Sequence, residues 1–306
     1  MVAGRPYRGT IVAFLAVPLL IYTVFLILPI ADSLRLSLFA QAPGQPVHFV
    51  GMANYATLFG DPNWAPRFWG ALGNNFVFFC VHMLAQNPIG LLLAALLSAR
   101  RLALRGIYRT LIFSPTMLSV VIVGFIWQLL LSPLWGVGHR LLGLVGLGAI
   151  FRPWLGLEGS ALVTLSLISV WQFVGIPLML FTAALLSIPD EVTEAATIDG
   201  ASPVQTFWRI KFPLILPTVG IVSVLTYVGN FNAFDLVYAV KGALAGPNFA
   251  TDLLGTYFYR TFFGYQLQLG NPSMGAAVAT VVFLIILGGV CLYLFGVQRR
   301  IMRYEL

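Results

Sequence analysis

Six stretches of this sequence run for a bilayer's width without an Asp, Glu, Lys or Arg: Ile11–Ile30, Phe76–Leu97, Thr110–Leu131, Ser160–Ile188, Phe212–Phe234 and Met274–Val297. A hydrocarbon core of about 30 Å takes roughly 20 apolar residues as a helix. None of the six shows the alternation and turn punctuation of barrel strands, so internal hydrogen bonding in lipid requires them to be helices. With 59% hydrophobic and 9% charged residues and a mean hydropathy of +0.91, an ordinary soluble domain is excluded. The expectation is an all-α membrane protein with six transmembrane helices.

The basic residues orient it. With the N-terminus inside, the inner segments hold Arg5, Arg8, Arg100, Arg101, Arg105, Arg109, Arg209, Lys211, Arg299, Arg300 and Arg303. The outer ones hold Arg35, Arg67, Arg140, Arg152, Lys241 and Arg260. This asymmetry predicts both termini in the cytoplasm. The net charge of +7 is accordingly a topology signal, and no other feature speaks for a nucleic-acid partner. Arg5 and Arg8 ahead of an apolar run, with Ala40-Gln41-Ala42 beyond it, have the outline of a signal peptide. The run is longer than a signal core and Pro43 follows the would-be cleavage site, so a retained first span is expected. Cys80 and Cys291 lie within spans and say nothing of redox compartment.

Between the fourth and fifth runs lies the charged connection 190–213, with Asp190, Glu191, Glu194, Asp199, Arg209 and Lys211. Asp190 is placed to cap a short helix, and Glu191 and Glu194 suit its positive end. On that helix Val192, Ala195, Ala196 and Asp199 share one face, and the alanine pair keeps it thin enough for a close backbone approach. Gly200 should break the helix by taking positive φ. Ser202, Pro203 and Gln205 provide the N-cap, first-turn proline and capping-box amide of a second helix, which Pro213 should end. A helix–turn–helix at the membrane edge follows, and without a partner it would be an ordinary interfacial helix pair.

Glu194-Ala195-Ala196, Gly200, Ile210 and Pro213 at this spacing resemble the EAA loop of ABC-importer membrane subunits, with Phe212 where leucine is usual. The outer segment reading FVGMANYATLFGDP from Phe49, continuing through Phe68, Trp69, Ala71, Leu72, Asn74 and Asn75, is similar to the sugar-importer branch of that family, near the maltose and glycerol-phosphate permeases. So are Arg109–Leu142, the stretch from Gly246 to Leu254 and the stretch from Tyr257 to Phe263. The resemblance covers most of the chain. It implies the type I (MetI-like) importer transmembrane fold, one permease domain over 1–306, and a bacterial or archaeal cytoplasmic (inner) membrane. It further implies a second homologous permease subunit, two ATP-binding subunits and an extracytoplasmic solute-binding protein. Glu194, Ala195, Ala196, Asp199 and Gly200 would then couple to the ATPase, where ATP and Mg would sit. No internal repeat or linker divides the chain.

Polar groups within spans usually face other helices or a water-filled path. The second run carries His82, Gln86, Asn87 and Pro88; the lone histidine reads as a packed, hydrogen-bonded group rather than a metal ligand. Leu141–Phe151 is apolar but too short to cross, which suggests a lip or re-entrant piece. Solute-pathway candidates are Trp171, Gln172, Tyr227, Asn230, Phe231, Asn232 and Phe234, with Tyr227, Asn230, Phe231 and Phe234 on one helical face. Amides can serve hydroxyls and aromatic faces the C–H faces of a sugar ring. No Arg or Lys lies in a span core, which favours a neutral sugar, oligosaccharide or polyol over an anion.

Catalytic and metal devices are missing. There is no GxxxxGK[ST] phosphate loop, the three histidines form no HExxH set, and Gly200-Ala201-Ser202-Pro203-Val204 lacks the last glycine of a nucleophile elbow. Two alternatives remain. A secondary carrier would place ionisable groups within its spans, where this chain has only His82, with Asp235 at an edge. A polytopic membrane enzyme would gather acids or histidines near one face, and the outer acids here are scattered.

Overall fold

A computed structural model of the chain describes residues 8–40, 46–98, 102–266 and 268–298. Arg5, Arg100, Arg101, Arg299, Arg300 and Arg303 of the charge count lie outside the described residues, as do Gln41, Ala42 and Pro43 and the side chain of Arg8.

The six apolar runs become six spans of two kinds. The first, second and sixth are continuous helices, Phe14–Leu36, Ala65–Leu97 and Pro272–Gly296. The third, fourth and fifth are bent pairs: Arg105–Met117 with Val120–Leu130 at 95°, Glu158–Phe173 with Gly175–Leu186 at 44°, and Pro203–Leu214 with Leu216–Phe231 at 68°. Prolines account for the breaks. Pro115 opens the tight turn Ser114–Met117, after which Leu118 is extended. Pro177 has no N–H and its ring crowds the carbonyl of Phe173, the last residue before the second break. Pro213 and Pro217 flank the third, at Ile215. Here the structure corrects an expectation: the helix passes through Pro213 and stops two residues later.

Prolines also explain why three of the helices widen. The five-residue π-turns Thr23–Ile27, His82–Gln86 and Phe207–Lys211 each end two residues before a proline, namely Pro29, Pro88 and Pro213. In each, the residue preceding the proline bonds five positions back, as Asn87 N–H does to His82 O. The wider turn moves aside the carbonyl that the proline ring would strike.

The chain divides into two compact units, residues 1–65 with 258–283 and residues 66–257 with 284–306. In the first, the strand pair Phe39–Ala40 and His48–Phe49 follows the first span. The Asn54 amide donates to Ser37 O at 2.7 Å and Phe39 O at 2.8 Å, while the Ser37 and Tyr55 hydroxyls meet at 2.6 Å. Asn54 and Tyr55 thus form a local staple. In the second unit, Leu141–Phe151 supplies only the end of the short helix Val137–Leu144 and one 3₁₀ turn.

The second unit carries the main core. One apolar cluster gathers Phe78, Val123, Leu165, Ile168, Val237 and Leu253. Another gathers Ala94, Leu97, Leu178, Phe181, Leu185 and Val222. Along the second, fourth and fifth spans, the residues between these clusters are polar and buried: His82, Gln86 and Asn87, then Ser169 and Gln172, then Thr226 and Asn230. Apolar packing above and below therefore holds a polar layer at mid-span, where each group must find a partner or face a cavity.

Candidate functional site

Most of that layer is satisfied. His82 Nδ1 donates to Phe78 O at 2.8 Å, because a carbonyl can only accept; Nε2 then accepts from the Ser169 hydroxyl at 2.9 Å. Both ring nitrogens are used, and no group of three His, Cys, Asp or Glu able to hold a metal occurs among the described residues. The Thr226 hydroxyl lies 3.1 Å from Asn87 Oδ1. Three acceptors are left over, one of them Gln172 Oε1. Gln86 Oε1 and Asn230 Oδ1 are buried and have no hydrogen-bond partner among the described residues.

Both belong to side chains lining a cavity of about 320 Å³. Its wall includes His82, Ser169, Asn232, Phe234 and Asp235, and no Lys or Arg. Gln86 and Asn230 thus bring two amides to one space, although their orphaned oxygens are themselves covered in this conformation. The size is at the lower end of what small-molecule sites occupy.

The seven pathway candidates divide. Asn230, Asn232 and Phe234 line the cavity; Trp171, Gln172, Tyr227 and Phe231 do not. Helix Leu216–Phe231 ends before Phe234, so the face expected to join Tyr227, Asn230, Phe231 and Phe234 is split. Tyr227 donates its hydroxyl to Ile285 O at 2.6 Å and stacks on Phe231, with ring centres 4.7 Å apart. A Cβ at Gly289 would overlap the Tyr227 ring, so only glycine lets the sixth span come this near. Gln172 is fully buried, with Nε2 donating to Leu118 O at 3.1 Å; it ties the broken third span to the fourth. Trp171 is 44% exposed and meets Trp127 edge-on at 5.5 Å.

The connection 190–213 folds as a hairpin. Helix Asp190–Ile198 has Pro189, not Asp190, at its cap position, and Asp190 is the first helical residue. Its end is closed by two backbone bonds, Gly200 N–H to Thr197 O at 3.1 Å and Ala201 N–H to Ala196 O at 2.9 Å. That closure needs the left-handed backbone of Gly200, φ +79°. Ser202 and Gln205 form the expected capping box of the second helix. The alanine pair is divided. Ala196 turns inward and is buried, while Glu194, Ala195, Asp199 and Gly200 are exposed.

A model of the family described as binding-protein-dependent transport system inner membrane component matches residues 86–301. The chain belongs to this family. It is the permease subunit of an ABC importer and a multi-pass inner membrane protein. It is similar to "Probable ABC transporter permease protein YurN" of Bacillus subtilis, 33% identical over 89% of this chain and 90% of that one. It is also similar to the multiple sugar-binding transport system permease protein MsmF of Streptococcus mutans, 31% identical over 89% and 90%. Its fold matches a chain of a bacterial alginate ABC transporter solved in complex with an alginate pentasaccharide-bound periplasmic protein. There the TM-score is 0.80 with 21% identity, over 96% of each chain. The fold is therefore the type I importer transmembrane fold.

The permease exposes three side chains on the hairpin that sequence reasoning passed over. Ile198 is 86% exposed, Val204 67% and Trp208 56%. Large apolar groups in a charged connection are the sequence signal for them. Gln86 was noted only as a polar span residue; its position one π-turn from His82 brings both into the cavity wall.

Proposed function

We propose that this permease carries a neutral sugar, oligosaccharide or polyol through the polar layer. The observation that supports this reading is the cavity wall: amides, two hydroxyls and aromatic rings among aliphatic groups, with Asp235 and no Lys or Arg. An anionic solute would meet Asp235 without a compensating charge from this subunit, and an unpaired ion in low dielectric is costly. A sugar hydroxyl would instead donate to Asn230 Oδ1 and Gln86 Oε1 once these cavity-lining amides turn inward, and the relationship to a multiple-sugar permease supports the reading.

In this reading residues 1–306 act as one permease domain beside a second homologous subunit, with both termini in the cytoplasm. Two ATPase subunits, holding ATP and Mg, sit beneath, and a solute-binding protein delivers from outside. Glu194, Ala195, Asp199 and Gly200 present the hairpin to an ATPase groove, with Ala196 packing it to the permease. Closure of the ATPases on ATP draws the hairpins together and opens the pathway outward; hydrolysis resets it.

The test is uptake by proteoliposomes holding the assembled transporter and its binding protein, offered maltose, lactose, raffinose, glycerol or glycerol 3-phosphate. A neutral member should be taken up, and glycerol 3-phosphate should not. Asn230→Ala should lower that uptake about 2–10-fold, the worth of one hydrogen bond, at unchanged assembly. Uptake of glycerol 3-phosphate alone would overturn the reading.

A further inference from the structure

Two adjacent residues of the second span hold the segment that follows the fifth, and they hold it differently. Asn74 donates from Nδ2 toward three carbonyls of one loop, Phe249 O at 3.5 Å, Ala250 O at 3.3 Å and Asp252 O at 3.0 Å. The Arg67 guanidinium sits over the Phe249 ring, 5.1 Å from its centre. The loop is also closed on itself, with the Thr251 hydroxyl donating to Ala245 O at 2.8 Å and the Thr256 hydroxyl to Asp252 Oδ1 at 2.6 Å.

Asn75 reaches further. It is fully buried. Its Nδ2 donates to the backbone oxygen of Asn230 at 2.8 Å, and its Oδ1 accepts from Leu254 N–H at 2.6 Å. Asn230 lies in the last turn of helix Leu216–Phe231, and Leu254 is the first residue of helix Leu254–Phe263. Asn230 O already accepts the Ala233 N–H at 3.2 Å and has a second lone pair for Asn75, while the second helix starts with N–H groups that lack helical partners. A carboxamide, with a donor at one tip and an acceptor at the other, serves both at once. A carboxylate would lose the donor and set two acceptors against each other. The Asn230 side chain is fixed by its own bond, Nδ2 to Thr226 O at 2.6 Å, which leaves Oδ1 without a partner on a residue that lines the cavity.

We propose that Asn75 is a positioning residue for solute recognition: it sets the backbone from which Asn230 faces the cavity, and the same amide anchors the end of the loop 242–253. The proposal rests on the reading that Asn230 contacts the solute. Asn74, by contrast, holds the loop without touching Asn230.

The experiment is a double-mutant cycle on the assembled transporter with its binding protein, using the neutral sugar best taken up from the panel above. Uptake is expressed per assembled complex. Asn75→Asp keeps the acceptor for Leu254 and removes the donor to Asn230, and it should lower uptake about fivefold or more. Combined with Asn230→Ala it should be no worse than Asn230→Ala alone, within about twofold, because the aim of an absent amide no longer matters. Asn74→Ala with Asn230→Ala should instead multiply their separate losses. A purely architectural role for Asn75 would make its loss multiply too, and that result overturns the proposal while leaving the solute reading intact. Wild-type uptake in Asn75→Asp does the same. Wild-type uptake in Asn230→Ala overturns both, since no contact is left to position. Should Asn75→Asp leave under half the complex assembled, the cycle is read with Asn75→Thr, whose hydroxyl cannot span both partners.

Discussion

Gly200 offers the cleanest perturbation of coupling, because its substitution costs one thing only. Its φ is +79°, and nothing lies within 4 Å of the place a Cβ would occupy. A side chain there meets no clash, so the penalty is that of left-handed backbone, about 1–2 kcal/mol for an L-residue. Asparagine is the non-glycine residue that tolerates this region best and belongs at the low end; valine, stiff at χ1, belongs at the high end. A cost of 1–2 kcal/mol lowers the population of the closed hairpin roughly 5–30-fold. Affinity of the purified ATPase subunits for permease in nanodiscs should therefore fall in the order Gly, Asn, Ala, Val, and ATP-driven uptake should follow. Membrane insertion should not change, because the hairpin's turn contributes nothing to the spans. Equal affinity for Gly200→Val and wild type would refute the reasoning, and so would weaker binding by Gly200→Asn than by Gly200→Val in the same series.

The exposed apolar groups of the hairpin should matter as much as its acids: Ile198→Ser or Trp208→Ser should weaken ATPase capture by about 1.5–3 kcal/mol, measured by titration, with no loss of permease yield. Glu194→Lys should weaken the same capture more steeply at low than at high salt, as a like-charge contact does. Cysteines at 61 and 248 should react with a membrane-impermeant reagent from outside intact cells, and a cysteine at 194 only after permeabilisation; the reverse pattern would invert the orientation. Tyr227→Phe, which removes the bond to Ile285 O, should lower thermal stability by about 0.5–1.5 kcal/mol and leave uptake per complex near wild type, whereas a large uptake defect at unchanged stability would place Tyr227 on the pathway.

The number of spans, their helical nature and the hairpin's turn chemistry were legible without coordinates. Each depends on interactions within a few residues. An uncharged run must satisfy its own backbone in lipid, and Ser202, Gln205 and Gly200 act on N–H and carbonyl groups at most four or five positions away. Even the family resemblance rests on such local spacings. What one residue faces is another matter. The face that period 3.6 assigned to Tyr227, Asn230, Phe231 and Phe234 exists only while the helix lasts, and the chain leaves the helix at Asn232. Whether Asn230 turns to a cavity, and Gln172 to a carbonyl of the third span, depends on helices brought together across more than fifty residues. The same holds for Asn75, whose partners at 230 and 254 are far apart in sequence. Local bonding wrote the elements; packing of the proline-broken spans decided which amides are tied to backbone and which line the cavity.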